Sequence, residues 1–435
     1  MEQALAARAA SDVWRWFDLV RSADGYGGPI AHWWRDCLLD CRPGYDWRYE
    51  GIIAGCLDLH ERTGDAAWLA RARRAGDELV AAHDHGHLRQ SRFELNPGCG
   101  GTPHEAAAAT GLLRLAARLA SAEPDDAERY REVARAVLVR GHVARLWDAE
   151  RGAFRDDPGQ PSFVPNKACT LIEALLLLAD ATGEERYVAQ YALPTASAVL
   201  YHQVRRPGGR LDGAIAQNSF GSRVVAKYFP YYVARCVPGL LAVHRYARDD
   251  RFADAALAAG RFVLRWRDDD GGFPQVVYAD ERVNRYPRWV AAVGDVLRAL
   301  AMLRPVGLEA DPASTEAWLL SGRLPTGGVM TARGFAAQAQ PTRRPGPPEF
   351  RDLLSVAGWT DKAFRYFASR CGPEAAAPTA DPDPRPHEGE CVFRGRRLAY
   401  RADAEGVALR DRGRLVYRWR VGDAWAEAES WLAVR

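Results

Sequence analysis

The chain repeats itself about every sixty residues, and this period limits the folds open to it. Six prolines, each near the start of a predominantly apolar stretch, are separated by 60, 62, 65, 57 and 61 residues. Proline is tolerated at the first position of a helix because its missing N–H would have no intrahelical partner there. The pattern therefore predicts one buried helix in each repeat. The prolines are Pro43, Pro103, Pro165, Pro230, Pro287 and Pro348.

A second set of helices is predicted between the first. The intervening stretches, such as AAWLARARRAGDELVAAH, are amphipathic and carry one charged face. An amphipathic helix that alternates at a fixed period with one that is apolar nearly all round is typical of stacked helical pairs. Six such pairs can close into a ring, so the predicted fold class is all-α, an (α/α)6 toroid of helical hairpins. The outer helices are predicted at residues 3–21, 65–83, 126–147, 185–204, 250–267 and 312–322.

The rest of the chain divides at segments rich in proline. We predict that the toroid spans residues 1–370, and that its sixth hairpin, 304–370, is the least regular because proline and glycine are frequent there. Residues 371–388 are a predicted Pro-rich linker. Residues 389–435 contain short runs such as RRLAYRA between glycine turns, which predicts a small β-strand appendage.

Composition argues against several functional classes. The net charge of the 435 residues is +3, and the arginines are spread among acids, so neither nucleic acid nor a membrane surface is an expected partner. The first twenty residues do not resemble a signal peptide, and the eight cysteines form no CxxC pair. We therefore expect a cytoplasmic protein with reduced thiols and without a metal or cofactor. The sequence leaves the oligomeric state open.

The loops before the inner helices are the expected place for a binding site. All inner helices of such a ring begin at the same end, so these loops should meet at one rim. Only three of the 59 basic residues are lysines, and two of the three fall near inner-helix starts. Aromatic rings interleaved with carboxylates and bases can stack on sugars and hydrogen-bond their hydroxyls. The predicted substrate-binding residues are Trp33, Trp34, Trp47, Arg48, Asn166, Lys167, Arg223, Lys227, Tyr231, Arg285, Arg288 and Trp289.

Three residues near the same helix starts are candidates for acid–base catalysis: Glu50, Asp46 and His104. Glu50 lies one turn after Asp46 on the same face of the first inner helix, and Asp46 is also placed to cap that helix. Thr102 and Glu105 have the spacing of a capping box, so we predict that Glu105 caps its helix. The role of Lys362 stays open.

The repeat, the helix alternation and the aromatic loops resemble the six-hairpin glycosidase superfamily. These alpha/alpha toroids include glycoside hydrolases, unsaturated glucuronyl hydrolases, sugar epimerases and polysaccharide lyases. The resemblance covers about residues 1–370, is architectural, and assigns no catalytic residue here. It implies a carbohydrate-active enzyme that acts on an oligosaccharide. Inner-helix N-termini together with Lys and Arg side chains favour an anionic group such as a uronate carboxylate, so we predict hydrolysis of a glycosidic bond in a uronic-acid-containing oligosaccharide.

Other functions remain open at this point. A lyase or epimerase on the same scaffold would pair a base such as His104 or Tyr231 with Lys or Arg. A non-catalytic glycan-binding or scaffold protein would use the same aromatic surface without turnover. An isoprenoid cyclase would need a DxDD acid, whereas residues 268–270 run directly into glycine.

Overall fold

The computed structural model describes residues 1–30, 39–41, 44–84, 102–337, 346–373 and 386–421. Within them, helices alternate between an outer and an inner ring, and we number them so that odd helices are outer and even helices inner. The helices are α1 (Gln3–Val20), α2 (Trp47–Thr63), α3 (Ala66–Asp84), α4 (Ala106–Leu119), α5 (Pro124–Ala136), α6 (Pro165–Thr182), α7 (Leu193–Tyr201), α8 (Pro230–Ala247), α9 (Asp250–Arg265), α10 (Val293–Leu303), α11 (Ala313–Leu320) and α12 (Ala357–Arg370).

The inner helices form a closed ring. Each even-numbered helix packs on the next, from α2 through α4, α6, α8 and α10 to α12, and α12 packs back on α2. The predicted (α/α)6 toroid is therefore confirmed, and its sixth outer helix is the short helix α11. In the part of the chain that the structure describes, no helix has both the length and the apolar character needed to cross a bilayer.

Two of the outer helices are not α-helical throughout. Helix α5 continues into a wider, π-helical segment, Val137–Val143, and ends in a final turn, Ala144–Leu146. A second π-helical segment, Tyr187–Ala192, leads into α7. The second residue of α7 is Pro194, which lacks the N–H needed for a regular helical hydrogen bond.

The prolines of the repeat do not all begin helices. Pro165 and Pro230 occupy the first position of α6 and α8, and Pro103 begins a 3-10 turn, Pro103–Glu105, that leads into α4. Pro287 instead follows a cis peptide bond and precedes a short strand, and Pro348 precedes the 3-10 turn Phe350–Leu353.

For the last two repeats the prediction of helix starts was therefore wrong. Strand and turn residues separate these two prolines from α10 and α12. Pro43 lies outside the described residues.

Short antiparallel strands join the loops that precede the inner helices. Strand β7 pairs with β8, β10 with β11, and β13 with β14, and each pair links the loops of neighbouring hairpins. The loops before α6, α8, α10 and α12 therefore share one rim. The strands up to this point are β1 (Arg21–Ser22), β2 (Gly25–Tyr26), β3 (Gly28–Ile30), β4 (Leu39–Cys41), β5 (Trp147–Asp148), β6 (Ala153–Phe154), β7 (Ser162–Phe163), β8 (Asn218–Phe220), β9 (Arg223–Val225), β10 (Lys227–Tyr228), β11 (Val276–Tyr278), β12 (Val283–Asn284), β13 (Arg288–Trp289) and β14 (Ala332–Arg333).

The C-terminal strands form a four-stranded antiparallel meander. The sheet contacts the helical ring at the 3-10 turn before α12, where Val392 N donates to Pro348 O at 2.8 Å and the ring of Phe350 packs edge-on against Phe393 and Tyr417. The strands are β15 (His387–Phe393), β16 (Arg396–Ala402), β17 (Gly406–Asp411), which was not predicted, and β18 (Arg414–Arg420).

Candidate functional site

Aromatic side chains form a layer at the rim end of the inner ring. Trp47 at the start of α2 stacks on His104 with ring centroids 4.4 Å apart, and Trp289 of β13 stacks on Trp359 in α12 at 4.5 Å. Tyr231 in the first turn of α8 contacts Trp359 edge-on at 5.6 Å. We call these five residues the aromatic layer. The structure thus brings together four residues singled out from the sequence, and it adds Trp359, which the sequence analysis missed.

Several polar atoms of this layer are buried without a partner. The Nε1 atoms of Trp289 and Trp359 and the Nε2 atom of His104 have no hydrogen-bond partner within the described residues. Buried polar atoms are nearly always hydrogen-bonded, so each exception calls for an explanation. The Nε1 of Trp47, by contrast, donates to Gly358 O at 2.5 Å. The layer therefore offers unused indole donors to the hydroxyl or carboxylate oxygens of a ligand.

Four charged side chains cross the axis of the toroid beneath the aromatic layer. Arg365 of α12 donates to Glu50 of α2 at 2.5 Å and also to Asp295 of α10. Arg235 of α8 donates to Glu50 at 3.2 Å, and its Nε lies 3.5 Å from Asp295. We call these four residues the axial ion cluster. Each is at most 5% exposed, so the cluster ties four inner helices together in the interior.

The two arginines keep both carboxylates of the axial ion cluster ionised. Burial alone would raise the pKa of Glu50, but the positive charges of Arg365 and Arg235 outweigh burial and hold this pKa well below its usual range. The same balance of burial against Arg365 and Arg235 lowers the pKa of Asp295. Glu50 and Asp295 are therefore ionised at neutral pH, able to stabilise positive charge and unsuited to donate a proton.

A lysine and an aspartate lie beside this cluster. Lys362 Nζ donates to both carboxylate oxygens of Asp361 at 2.9 Å and to Gly358 O at 3.0 Å, in the first turn of α12. Helix α12 is continuous, so Lys362 reaches toward the rim along the helix. Burial raises the pKa of Asp361 to about 7 and lowers that of Lys362. This pair can hold or release a proton near neutral pH.

His104 is a neutral imidazole at pH 7. Burial lowers its pKa well below the ordinary value, and the positive charges of Arg235, Lys362 and Lys167 lower it further. Because the ring is uncharged, His104 can hydrogen-bond a sugar hydroxyl while it stacks on Trp47.

Asp46 and Arg48 are used to build the start of α2. The carboxylate of Asp46 caps the helix by accepting from Arg48 N at 3.1 Å, and it also accepts from Arg48 Nε at 2.9 Å. Arg48 Nη1 donates to Tyr26 O. These bonds use both side chains to build the helix start. The catalytic role of Asp46 and the substrate contact of Arg48 stay predictions. The capping box predicted at Thr102 is not formed, since its side chain makes no cap hydrogen bond.

Other predicted binding residues lie in ion pairs of the rim loops. Lys167 is 2.9 Å from Asp156, whereas its buried neighbour Asn166 lies in the first turn of α6. Arg285 pairs with Asp268, and Arg288 donates to Asp270 at 2.6 and 2.7 Å. Asp268 and Asp270 therefore neutralise the charge of both arginines, whose contact with substrate stays a prediction.

The remaining predicted residues differ in exposure. Arg223 and Lys227 are exposed, and neither forms an ion pair with any described residue. Trp33 and Trp34 lie outside the described residues. The described residues also contain no group of three or more His, Cys, Asp or Glu side chains that could hold a metal ion.

The sequence contains a signal for the axial ion cluster. Arg235 and Asp295 are charged residues in runs that are otherwise largely apolar, YYVARCVPGL and AAVGDVLRAL, the second of which also contains Arg298. A charge on a helix that is buried on every side must meet an opposite charge in the interior. The signal identifies such residues, although it does not say which ones meet.

Comparison with known proteins reveals shared architecture without close sequence similarity. No protein-family model matches the chain, and no curated protein matches it significantly. The unsaturated glucuronyl hydrolase of Bacillus sp. GL1 superposes with a TM-score of 0.58 at 16% identity, over 85% of this chain and 95% of that chain. The GH76A α-1,6-mannanase of Salegentibacter sp. gives 0.55 at 11% identity, over 85% and 99%.

A possible member of the GH105 family from Klebsiella pneumoniae gives a TM-score of 0.56 at 12% identity, over 84% of this chain and 92% of that chain. In each case the similarity extends over nearly the whole of the other protein. The chain therefore has the (α/α)6 toroid fold of the six-hairpin glycosidases.

Proposed function

We propose that the protein is a glycoside hydrolase that cleaves an oligosaccharide containing uronic acid at the rim of the toroid. The observation that carries this proposal is the axial ion cluster, which holds the ionised carboxylates of Glu50 and Asp295 directly beneath the aromatic layer. Glycoside hydrolysis needs a carboxylate that acts on water or on the anomeric carbon, together with an acid that protonates the leaving oxygen.

The roles in this mechanism follow from the charge states. Glu50 is the carboxylate that acts as base or nucleophile, because Arg365 and Arg235 keep it ionised. Asp361 is the proton donor, because its pKa of about 7 leaves it partly protonated at neutral pH. Arg235 and Arg365 are positioning residues. In this proposal the second carboxyl group beside Glu50 is Asp361, whereas the sequence had suggested Asp46.

The choice of an anionic sugar rests on the charges around the site. The N-termini of the inner helices point toward the rim, and Lys362 and the unpartnered Nη1 of Arg235 lie just beneath it. The glucuronyl hydrolase with the same fold is described as responsible for degradation of glycosaminoglycan, and another neighbour as specific for heparin. The mannanase, by contrast, acts on a neutral glycan, so the fold alone does not select the substrate.

The test is turnover of oligosaccharides by the wild type and by Glu50→Gln. We expect cleavage of uronic-acid oligosaccharides, no cleavage of α-1,6-mannan, and a loss in kcat of about 10²- to 10⁴-fold in the variant. The matched control is Glu316→Gln on the outer helix α11, away from the rim. Glu316 is a buried carboxylate that accepts a hydrogen bond from the Tyr366 hydroxyl at 2.5 Å. Circular dichroism verifies that both variants fold.

Three outcomes contradict the proposal. Full activity in Glu50→Gln removes its catalytic role, and tight glycan binding without any turnover indicates a binding protein instead. Products with an unsaturated ring indicate elimination by a lyase.

We also propose that the protein works in a reducing compartment, the cytoplasm. This proposal is supported by Cys56, Cys169, Cys236, Cys371 and Cys391, which are buried free thiols within the described residues.

A further inference from the structure

We propose that residues 201–228, from the last residue of α7 to the strand before α8, form a docking surface for the extended part of an anionic polysaccharide. This surface lies outside the aromatic layer and the axial ion cluster, which we together call the axial site. This inference rests on the proposed function, because it concerns how the protein binds the remaining units of the same substrate. We call these residues the 201–228 ribbon.

The ribbon is folded on itself and fixed to the rim. Gln203 pairs with Ile215 in an antiparallel bridge, and Gln217 N donates to Lys227 O at 2.8 Å. Strands β8 and β9 form a hairpin within it, β8 pairs with β7, and β10 pairs with β11. Hydrogen bonds to two neighbouring loops therefore hold the ribbon at the same rim as the aromatic layer.

The ribbon carries an excess of positive charge. It contains Arg205, Arg206, Arg210, Arg223 and Lys227 but a single acidic residue, Asp212. Arg210 lies 3.6 Å from Glu281, whereas the other four cations are exposed and form no ion pair with any described residue. The rim arginines of the loop before α10 are neutralised by aspartates, so the charge of this ribbon is not a general property of the rim.

Exposed aromatic rings accompany these charges. Phe220 is 51% exposed and lies directly opposite Arg223 in the β8–β9 hairpin, so the two side chains share one face of the hairpin. Tyr201, at the end of α7, is 76% exposed. An aromatic ring beside a cation suits a uronic-acid unit, whose ring stacks on the aromatic face while its carboxylate meets the charge.

The ribbon leads directly into the axial site. Its last strand, β10, ends just before α8, and the first two turns of α8 carry Tyr231 of the aromatic layer and Arg235 of the axial ion cluster. A polysaccharide with one unit at the aromatic layer can therefore continue along the ribbon. Nucleic acid fits less well, because its binding relies on many phosphate contacts and only four unpaired cations are present here.

The test is affinity for polygalacturonate, a polymer of uronic acid, in Arg223→Gln/Lys227→Gln and in Phe220→Ala. We expect the double variant to bind the polymer about tenfold more weakly at low salt, and its affinity should fall less steeply as the salt concentration rises. Phe220→Ala should weaken binding at all salt concentrations. The matched control, Arg245→Gln/Arg261→Gln, removes two exposed arginines on α8 and α9 that form no ion pair with described residues.

Unchanged affinity in the double variant, or an equal loss in the control, overturns the inference. Tighter binding of a single-stranded DNA oligonucleotide through the same residues also overturns it, in favour of nucleic acid. The two proposals can fail separately. If the ribbon variants bind the polymer more weakly but the protein cleaves no oligosaccharide, only the proposed hydrolase is contradicted. If the protein cleaves short oligosaccharides but its affinity for the polymer does not depend on the ribbon residues, only the docking surface is contradicted.

Discussion

Ionised carboxylates remain in the interior of the toroid because each one meets two guanidinium groups. Arg365 and Arg235 each contact both Glu50 and Asp295, so no charge of the axial ion cluster depends on a single partner. A buried charge without a partner costs several kcal/mol, and loss of one arginine leaves each carboxylate with a single guanidinium partner instead of two. Activity and stability should therefore depend on the same residues.

We predict that Arg365→Gln shifts the pH dependence of catalysis. The pKa of Glu50 is depressed in the wild type, so its carboxylate stays ionised as the pH falls; without Arg365 the pKa rises, and protonation begins at higher pH. The acidic limb of the kcat/KM profile should move to higher pH, with a loss of about 3–5 kcal/mol in the free energy of unfolding.

The measurements for this prediction are a pH–rate profile and urea unfolding. Arg73→Gln on the outer helix α3, whose ion pairs with Glu123 and Asp126 are partly exposed, is the control and should cost less than about 1 kcal/mol. A profile in Arg365→Gln that coincides with that of the wild type would show that Arg365 does not set the charge state of Glu50.

The residues of the site were only partly predictable from the sequence. Trp47, Tyr231 and Trp289 were found because they lie in the loops or first turns that the period places at the rim. Arg235 lies in the second turn of α8 and Asp295 in the first turn of α10, both inside apolar runs, where sequence patterns describe burial but not contacts. Asp46 caps α2, and the sequence could not separate this role from a catalytic one, because a helix cap and a catalytic carboxylate have the same sequence signature.

At the scale of elements, glycines set how closely the inner helices approach one another. A Cβ atom on Gly51 of α2 would lie 2.2 Å from the Asp361 carboxylate and 2.7 Å from its backbone oxygen in α12. A Cβ atom on Gly294 of α10 would lie 2.3 Å from Lys362 O, also in α12. Helix α12, which carries Asp361 and Lys362, therefore packs directly on two glycines, and its position depends on them.

We predict that Gly51→Ala lowers the free energy of unfolding by about 1–3 kcal/mol, because the added methyl group forces α2 and α12 apart. Gly141→Ala is the matched control: it lies in the π-helical continuation of α5 with no atom within 4 Å of the added Cβ, and should stabilise by about 0.4–1 kcal/mol. Urea unfolding measures both. Equal effects of the two substitutions would contradict a close helix contact at Gly51.

The helices themselves were predictable, but the spacing between them was not. The sixty-residue period, the alternation of helix types and the outer bounds follow from local apolar patterns, which a single chain displays directly. The π-helical segments before α7 and after α5, and the displaced starts of α10 and α12, depend on packing and on loop pairing such as β13 with β14. Those interactions are between segments far apart in sequence.

At the scale of the molecule, the ring closes through contacts between its first and last hairpins. Helix α1 packs on α12, and Asp12 of α1 pairs with Arg323, which follows α11. The C-terminal sheet, in contrast, contacts the segment before α12 around Phe350, whose ring is fully buried. We propose, as the sequence suggested, that the sheet is an appendage and that the toroid carries the site.

This proposal predicts a local effect of Phe350→Ala. The substitution removes the ring that packs edge-on against both Phe393 and Tyr417, with centroid distances of 5.2 and 5.7 Å, and a buried Phe→Ala change typically costs about 3–5 kcal/mol. Because this contact joins the sheet to the turn before α12, hydrogen exchange should accelerate in β15–β18 while the inner helices keep their protection and kcat stays within about twofold.

Leu398→Ala, in the interior of the sheet, is the comparison: it should also accelerate exchange there but leave the 3-10 turn Phe350–Leu353 protected. If Phe350→Ala instead loses protection throughout α2 and α12, the sheet and the ring unfold together, and the division of the chain near residue 371 would have no thermodynamic basis.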